Sequence, residues 1–278
     1  MPELPDLTVL CEYLEPRIVG SSIDAVLVRR PIIVRNLLGG DLAECLVGRH
    51  FVSVGRRGKF LLLPLDDGST ILINPMLAGR VRYGPRLSKH RKRDALVLSL
   101  GDGNELRYYD GKDMGKVYLA QDLTQVPTFA EQGPEANAPD LTLDQFVERW
   151  ARERGEIKEI LVRQSFVAGI GNAYADEICW RAEIYPFRKS KSLSDVEISR
   201  LYHAMRDVLA EATQTLRERI DEQSEGEIRD FLAVHGKPGQ PCPRCGSPIS
   251  EVKRVRRATH FCRTCQPGLI LTSRAGSS

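Results

Sequence analysis

Near the end of the chain stands CPRCGSPISEVKRVRRATHFCRTC, two C-x2-C pairs sixteen residues apart. No other stretch restricts the fold so tightly. Two such knuckles bring four thiolates to the corners of a tetrahedron, with room for a β-hairpin between them. Cys242, Cys245, Cys262 and Cys265 are therefore read as the ligands of one zinc ion. Four thiolates leave no open coordination position, so the metal is structural. His235 and His260 lie close by and are read as hydrogen-bonding or packing residues. Cys11, Cys45 and Cys179 stand among apolar neighbours, as small buried hydrophobes do.

The module is also basic. Arg244, Lys253, Arg254, Arg256, Arg257 and Arg263 face a single acid, Glu251. A second basic run, RLSKHRKR, spans Arg86 to Arg93. The net charge is only +3, so any affinity for a polyanion comes from this clustering. Two basic loops in different domains suit a cleft that grips nucleic acid. No apolar run approaches the ~20 residues needed to cross a bilayer, and the N-terminus lacks the regions of a signal peptide. A cytoplasmic protein with no membrane partner is expected.

The rest divides by periodicity. Up to about residue 125, short alternating runs such as SSIDAVLVRR, STILIN, DALVLSL, NELRYY and KVYLA are separated by DDG and GDG turns, which predicts a β-sandwich. A short helical pattern near Asp6 to Leu14 precedes them. The stretch EQGPEANAPD reads as a linker. Helical spacing follows, opened by capping boxes at Thr142 and Ser194 and broken at VAGIGN. The fold class is multidomain α+β. Its expected parts are a β-sandwich over 1–127, a linker over 128–141, a helical domain over 142–233, the zinc module over 234–270 and a tail over 271–278.

The chain begins MPELP. Methionine before a small residue such as proline is normally removed, leaving Pro2 as a secondary amine, a possible nucleophile beside the Glu3 carboxylate. Proline also suits the first residue of an edge strand.

Four motifs occur in order: MPELP, GRRGKFL with Lys59, QSFVAGIGNAYADEI, and the cysteine module ending RATHFCRTCQ. Together they make the chain similar to the formamidopyrimidine-DNA glycosylase/endonuclease VIII family over essentially its whole length. The resemblance implies a β-sandwich catalytic domain, a helix-two-turn-helix domain and a zinc finger, acting as a monomer on double-stranded DNA with damaged bases or abasic sites. It implies a bifunctional DNA glycosylase and AP lyase of base-excision repair. Pro2 would attack C1′, Glu3 would protonate the sugar ring oxygen, and Lys59 would contact phosphate and assist elimination. Asn172, Arg154 and Lys158 would lie near phosphates. Arg257 would contact the phosphates flanking the lesion and promote δ-elimination.

The chain also departs from the family pattern. Asp6 and Thr8 replace glutamates, and Arg93 stands for a histidine. In DGKDMG, Lys112 takes the place of the arginine that faces the orphaned base, and Met114 that of the wedge phenylalanine. Asp113 between them is expected to be an electrostatic cost beside DNA. Leu77 is assigned the third void-filling position. The acidic segment TLRERIDEQSEGEIRDFL replaces a glycine-rich cap over the lesion, and Ala258 replaces a glycine after Arg257. These changes define an alternative, a lesion- or abasic-site-binding protein with lost or altered excision. They also leave the preferred base and its partner open.

Overall fold

The alternating apolar runs become strands because one face of each can be covered. The computed structural model describes residues 1–87, 90–219, 227–254 and 257–268. Two compact units emerge, one from Met1–Glu135 with Glu211–Ile228, the other from Ala136–Ala210 with the chain from Arg229 onward.

The first unit opens with helix α1 (Leu4–Ile18) and continues through β1 (Ile23–Val28), β2 (Val34–Asn36), α2 (Leu42–Leu46) and β3 (Gly55–Arg57). Strands β4 (Phe60–Pro64), β5 (Thr70–Asn74), β6 (Gly79–Pro85), β7 (Asp94–Leu100), β8 (Asn104–Asp110) and β9 (Lys116–Ala120) follow. Among the described residues they form a four-stranded sheet, β1-β7-β8-β6, and a five-stranded sheet, β2-β9-β5-β4-β3. One core joins the two sheets: Leu96, Leu98 and Leu106 of one pack with Leu61, Ile73 and Leu119 of the other, and α1 adds Leu14 and Ile18. The sandwich expected from the sequence is present. Strand β6, GRVRYGP, has only two apolar side chains besides its final proline, Val81 and Tyr83 between and after two arginines, yet it pairs with β8 along its whole length.

The second unit contains α3 (Leu143–Arg152), α4 (Ile157–Leu161), α5 (Asn172–Arg181), most of α6 (Asp195–Arg217), and the ribbon of β10 (Ile249–Arg254) and β11 (Arg257–Cys262). Both predicted capping boxes form. Thr142 and Gln145 exchange hydrogen bonds at 3.1 and 3.2 Å, and Ser194 and Glu197 do the same at the start of α6. Among the described residues no helix is long and apolar enough to cross a membrane. Arg256, Lys89, much of the acidic segment (220–226) and the tail lie outside the described residues.

Candidate active site and metal centre

Pro2 starts no strand. It is buried immediately ahead of α1, whose N-cap is Glu3, itself 2% exposed. Asp6 Oδ2 accepts the Glu3 N–H at 2.8 Å in a capping box, and Pro5 occupies the first turn, where its missing N–H is not needed. The shorter Asp6 thus serves the helix start. Pro2, Asp6, Tyr13, Arg80 and Glu227 line a cavity of about 120 Å³. The Met1 ammonium pairs with Glu227.

Lys59 stands in the tight turn between β3 and β4, beside Gly58 at φ 55°, a left-handed conformation that glycine adopts without strain. A single carboxylate fastens that turn. Glu135 accepts the Gly58 N–H at 2.5 Å, Arg57 Nη1 at 2.9 Å, and a hydrogen bond from Arg56. Arg56 Nε also donates to Thr8 Oγ1 at 2.7 Å, which links the turn to α1. Arg57 Nη2 donates to the carbonyl of Gly133 at 2.6 Å. The stretch read as a linker is therefore bound to β3 rather than loose.

The residues expected to read the DNA sit together at one end of the sandwich. Asn74, closing β5, pairs with Lys116, and Gly79, opening β6, pairs with Asp110. The 75–78 turn and the 111–115 loop consequently leave side by side. Leu77 and Met114 are 47% and 40% exposed, far more than core residues of their kind. Lys112 and Arg93 are exposed as well. Beneath the two loops lies the buried Tyr108 hydroxyl. A Cβ on Gly79 would stand 2.2 Å from it and one on Gly115 1.8 Å, so neither position admits a side chain as packed. The buried Asp110 accepts the N–H groups of Lys112 at 2.8 Å and Gly115 at 2.6 Å, which closes the loop.

The expectation for Asp113 is corrected. Its carboxylate is gripped by both arms of Arg30, with Nε at 2.9 Å, so the acid is neutralised within the unit.

In the second unit the VAGIGN break, with Gly169 at φ 99° and Gly171 as N-cap, delivers Asn172 to the first position of α5. Asn172 Nδ2 donates to the Ala258 carbonyl at 3.0 Å. Lys158 is also corrected. It is 5% exposed, and its ammonium points inward, 2.6 Å from Asp176 Oδ1. It donates further to Thr259 Oγ1 at 3.0 Å and the Ala258 carbonyl at 3.1 Å. Burial next to a carboxylate takes it away from any surface phosphate. Arg154 is exposed and donates to the carbonyls of Ala151 and Glu153 at the end of α3. Arg257, next to the pinned Ala258, is exposed.

Asp176 and Glu177 escaped the sequence reading. Two acids within the otherwise apolar NAYADEICW were the available signal. Asp176 Oδ2 lies 2.7 Å from His235 Nδ1 and 3.3 Å from His260 Nδ1, and accepts the His260 N–H at 3.1 Å. Burial works to raise its carboxyl, but hydrogen bonds from His235 and His260, with the Lys158 charge, hold it below the ordinary carboxylate range. Glu177 accepts three successive N–H groups, of Ala233, Val234 and His235, at 2.8 to 2.9 Å. Burial nevertheless pushes its carboxyl up. The two histidines are thus engaged by Asp176.

The four cysteine sulfurs lie within 4.8 Å of one another, with Cys242–Cys265 at 3.9 Å and Cys245–Cys262 at 3.5 Å. Sulfurs about 2.3 Å from a central zinc stand about 3.8 Å apart in a tetrahedron, so the set fits the ion. Several cations of the module are already engaged: Arg254 with Glu156, Lys253 with Glu251, and Arg244 stacked over Trp180.

Comparisons with known proteins agree with this arrangement. Residues 1–117 match the family model of the formamidopyrimidine-DNA glycosylase N-terminal domain, 132–224 that of its H2TH domain, and 239–268 a zinc finger found in FPG and IleRS. A formamidopyrimidine-DNA glycosylase of Heliobacterium modesticaldum is 37% identical over 276 residues, covering 96% of this chain and all of that protein. One from Thermus thermophilus is 36% identical over 96% of this chain and 98% of its own length. Among solved structures, the wild-type Lactococcus lactis enzyme with DNA containing N7-benzyl-Fapy-dG superposes with a TM-score of 0.86 at 31% identity. The same enzyme with DNA containing an abasic site also gives 0.86 at 30% identity. In both cases 96% of this chain and all of the other are covered.

Proposed function

The chain belongs to the formamidopyrimidine-DNA glycosylase family, and on that premise we propose how its own residues act on damaged DNA. It is a DNA glycosylase of base-excision repair with an associated AP lyase step. Its four cysteines hold a structural zinc.

Pro2 is the nucleophile. The observation that carries this reading is its burial at the head of α1, beside a cavity and directly ahead of the buried Glu3. An α-amine has a reference pKa of about 8, so a useful neutral fraction exists near pH 7. The amine lone pair forms a bond to C1′, and the glycosidic bond breaks as the base leaves. Glu3 gives a proton to the ring oxygen as the C1′–O4′ bond opens. The amine loses its own proton and the adduct becomes an iminium, which acidifies the C2′ proton. Loss of that proton breaks the C3′–O bond and releases the phosphate. Lys59 contacts phosphate and assists this elimination, and Arg257 promotes loss of the second phosphate.

Leu77 and Met114 fill the void left by the extruded nucleotide, while Lys112 and Arg93 face the opposite strand. Flipping a nucleotide costs a few kcal/mol, and exposed apolar wedges offset part of it. Lys112 offers one point charge where arginine offers a planar fork, which predicts relaxed choice of the opposite base. Asn172 and Arg154 lie along the phosphates. We read the enzyme as a cytoplasmic monomer, a reading supported by the presence of all these groups in one chain and by DNA as its substrate.

Borohydride reduction tests the mechanism. Protein lacking Met1 should become covalently linked to duplex DNA carrying an abasic site or an oxidised base. An undiminished adduct after Pro2→Gly with Glu3→Gln would defeat it. Tight binding with no excision across a panel of lesions would favour the binding-protein alternative.

A further inference from the structure

Glu227 belongs to none of the four motifs, yet the N-terminus ends on it. The Met1 ammonium pairs with Glu227 Oε1, and Arg80 Nη2 reaches the same oxygen at 2.9 Å. Both side chains are largely covered, at 19% and 23% exposure. Backbone bond lengths and angles keep consecutive nitrogens within about 3.7 Å of each other. Once Met1 is removed, the positive charge moves by no more than that distance, onto the Pro2 nitrogen. Pro2, Glu227 and Arg80 line the same cavity.

We propose that Glu227 is a positioning residue for catalysis, the counter-ion of the mature Pro2 ammonium, and that Arg80 moderates its hold. The proposal rests on the reading of Pro2 as the nucleophile. A carboxylate within a few ångströms favours the protonated amine, whereas a guanidinium on that carboxylate weakens the effect. Glu227 therefore orients the nitrogen toward the cavity and delays its deprotonation to higher pH. Before attack the ammonium gives its proton to solvent, and Glu227 stays ionised throughout. Among the described residues, the other titratable groups lining this cavity are Asp6 and Tyr13 from α1 and Arg82 and Tyr83 from β6, while Glu3, the N-cap of α1, follows Pro2 in the chain. The N-terminal ion pair is made to Glu227.

The experiment uses full-length protein whose loss of Met1 is verified by intact mass. The single-turnover rate of borohydride trapping on an abasic duplex is measured against pH for wild type, Glu227→Gln and Arg80→Met. Glu227→Gln should move the acid limb about one pH unit lower, the lower end of what a neighbouring opposite charge achieves. Arg80→Met should move it higher. NMR titration of the [15N]proline-labelled N-terminus should show the same two displacements. Coincident acid limbs in all three proteins, or a Glu227→Gln limb at higher pH, would overturn the proposal. Absence of adduct in folded wild type at every pH would instead defeat Pro2 as nucleophile. If Glu227→Gln does not fold, as judged by zinc content and melting, the direction of the Arg80→Met displacement decides.

Discussion

The β3–β4 turn and the β10–β11 ribbon each present a basic residue, Lys59 in one unit and Arg257 in the other, but they are held by different means. Behind Lys59 stands a five-stranded sheet whose strands β4, β5 and β9 bury Leu61, Ile73 and Leu119. Glu135 only has to lock the turn of a strand pair that is already supported. Among the described residues the ribbon pairs with no third strand. Isolated two-stranded hairpins are marginal in water, and this one recruits a metal at one end and a buried ionic cluster along β11. Three consecutive residues, Ala258, Thr259 and His260, are bonded to Lys158, Asn172 and Asp176. The number of sheet neighbours thus decides how much polar anchoring a cation-bearing hairpin needs.

Removing the zinc should separate the two regions most sharply. Chelation, or Cys262→Ser, should unfold the ribbon, because metal binding supplies about 10 kcal/mol or more of folding free energy in small zinc modules. Hydrogen exchange should then show full loss of protection in β10 and β11 and little change in β4, β5 and β9. Equal loss in both regions would break the comparison.

Next in size is Lys158→Met, which strands a buried carboxylate and should cost roughly 3–5 kcal/mol by chemical denaturation. Pairing it with Asp176→Leu should recover part of that. The contribution has a pH signature. The folded Asp176 carboxyl lies below its ordinary value, so its stabilisation is complete above about pH 4 and fades as pH falls through the folded value. The stability gap between wild type and Asp176→Asn should therefore narrow on acidification below pH 4. A gap that widens would contradict the assigned partners.

Glu135→Gln probes the other hairpin. The amide keeps one acceptor but meets donors on both sides, for an expected cost of about 1–3 kcal/mol. Elimination on a preformed abasic duplex should slow more than binding weakens, since the turn carrying Lys59 loses its lock. A cost equal to that of Lys158→Met would erase the distinction between the regions. Smallest is Arg30→Met. Its pair with Asp113 is 40% and 32% exposed, so stability should fall by less than about 1 kcal/mol. DNA binding should weaken a few-fold, because the acid is then released.

Local signals were legible in the sequence and long-range ones were not. The cysteine spacing, both capping boxes and most strands depend on residues close together in the chain, and each is found where the pattern put it. The first helix runs further than its apolar pattern, from Leu4 to Ile18: Pro5 suits its first turn, and the helix continues through Pro16 although that residue has no N–H to give. Strand β6 was invisible because two of its seven residues are arginines, which line a cavity and are only partly exposed. The binding of EQGPEANAPD to β3, and of Asp113 to Arg30, join residues about eighty positions apart, which no periodicity encodes. Lys158 looked like a surface cation until the fold placed Asp176 beside it.

The Tyr108 hydroxyl also divides what a directed-evolution library can vary. Gly79 and Gly115 both abut that one oxygen, so randomising either would fill a library with misfolded members. Positions 77, 112 and 114 point outward from the same two loops and can be randomised together at little risk to the scaffold. A selection for altered lesion or opposite-base preference is best encoded in those three codons, with residues 79, 108 and 115 held fixed.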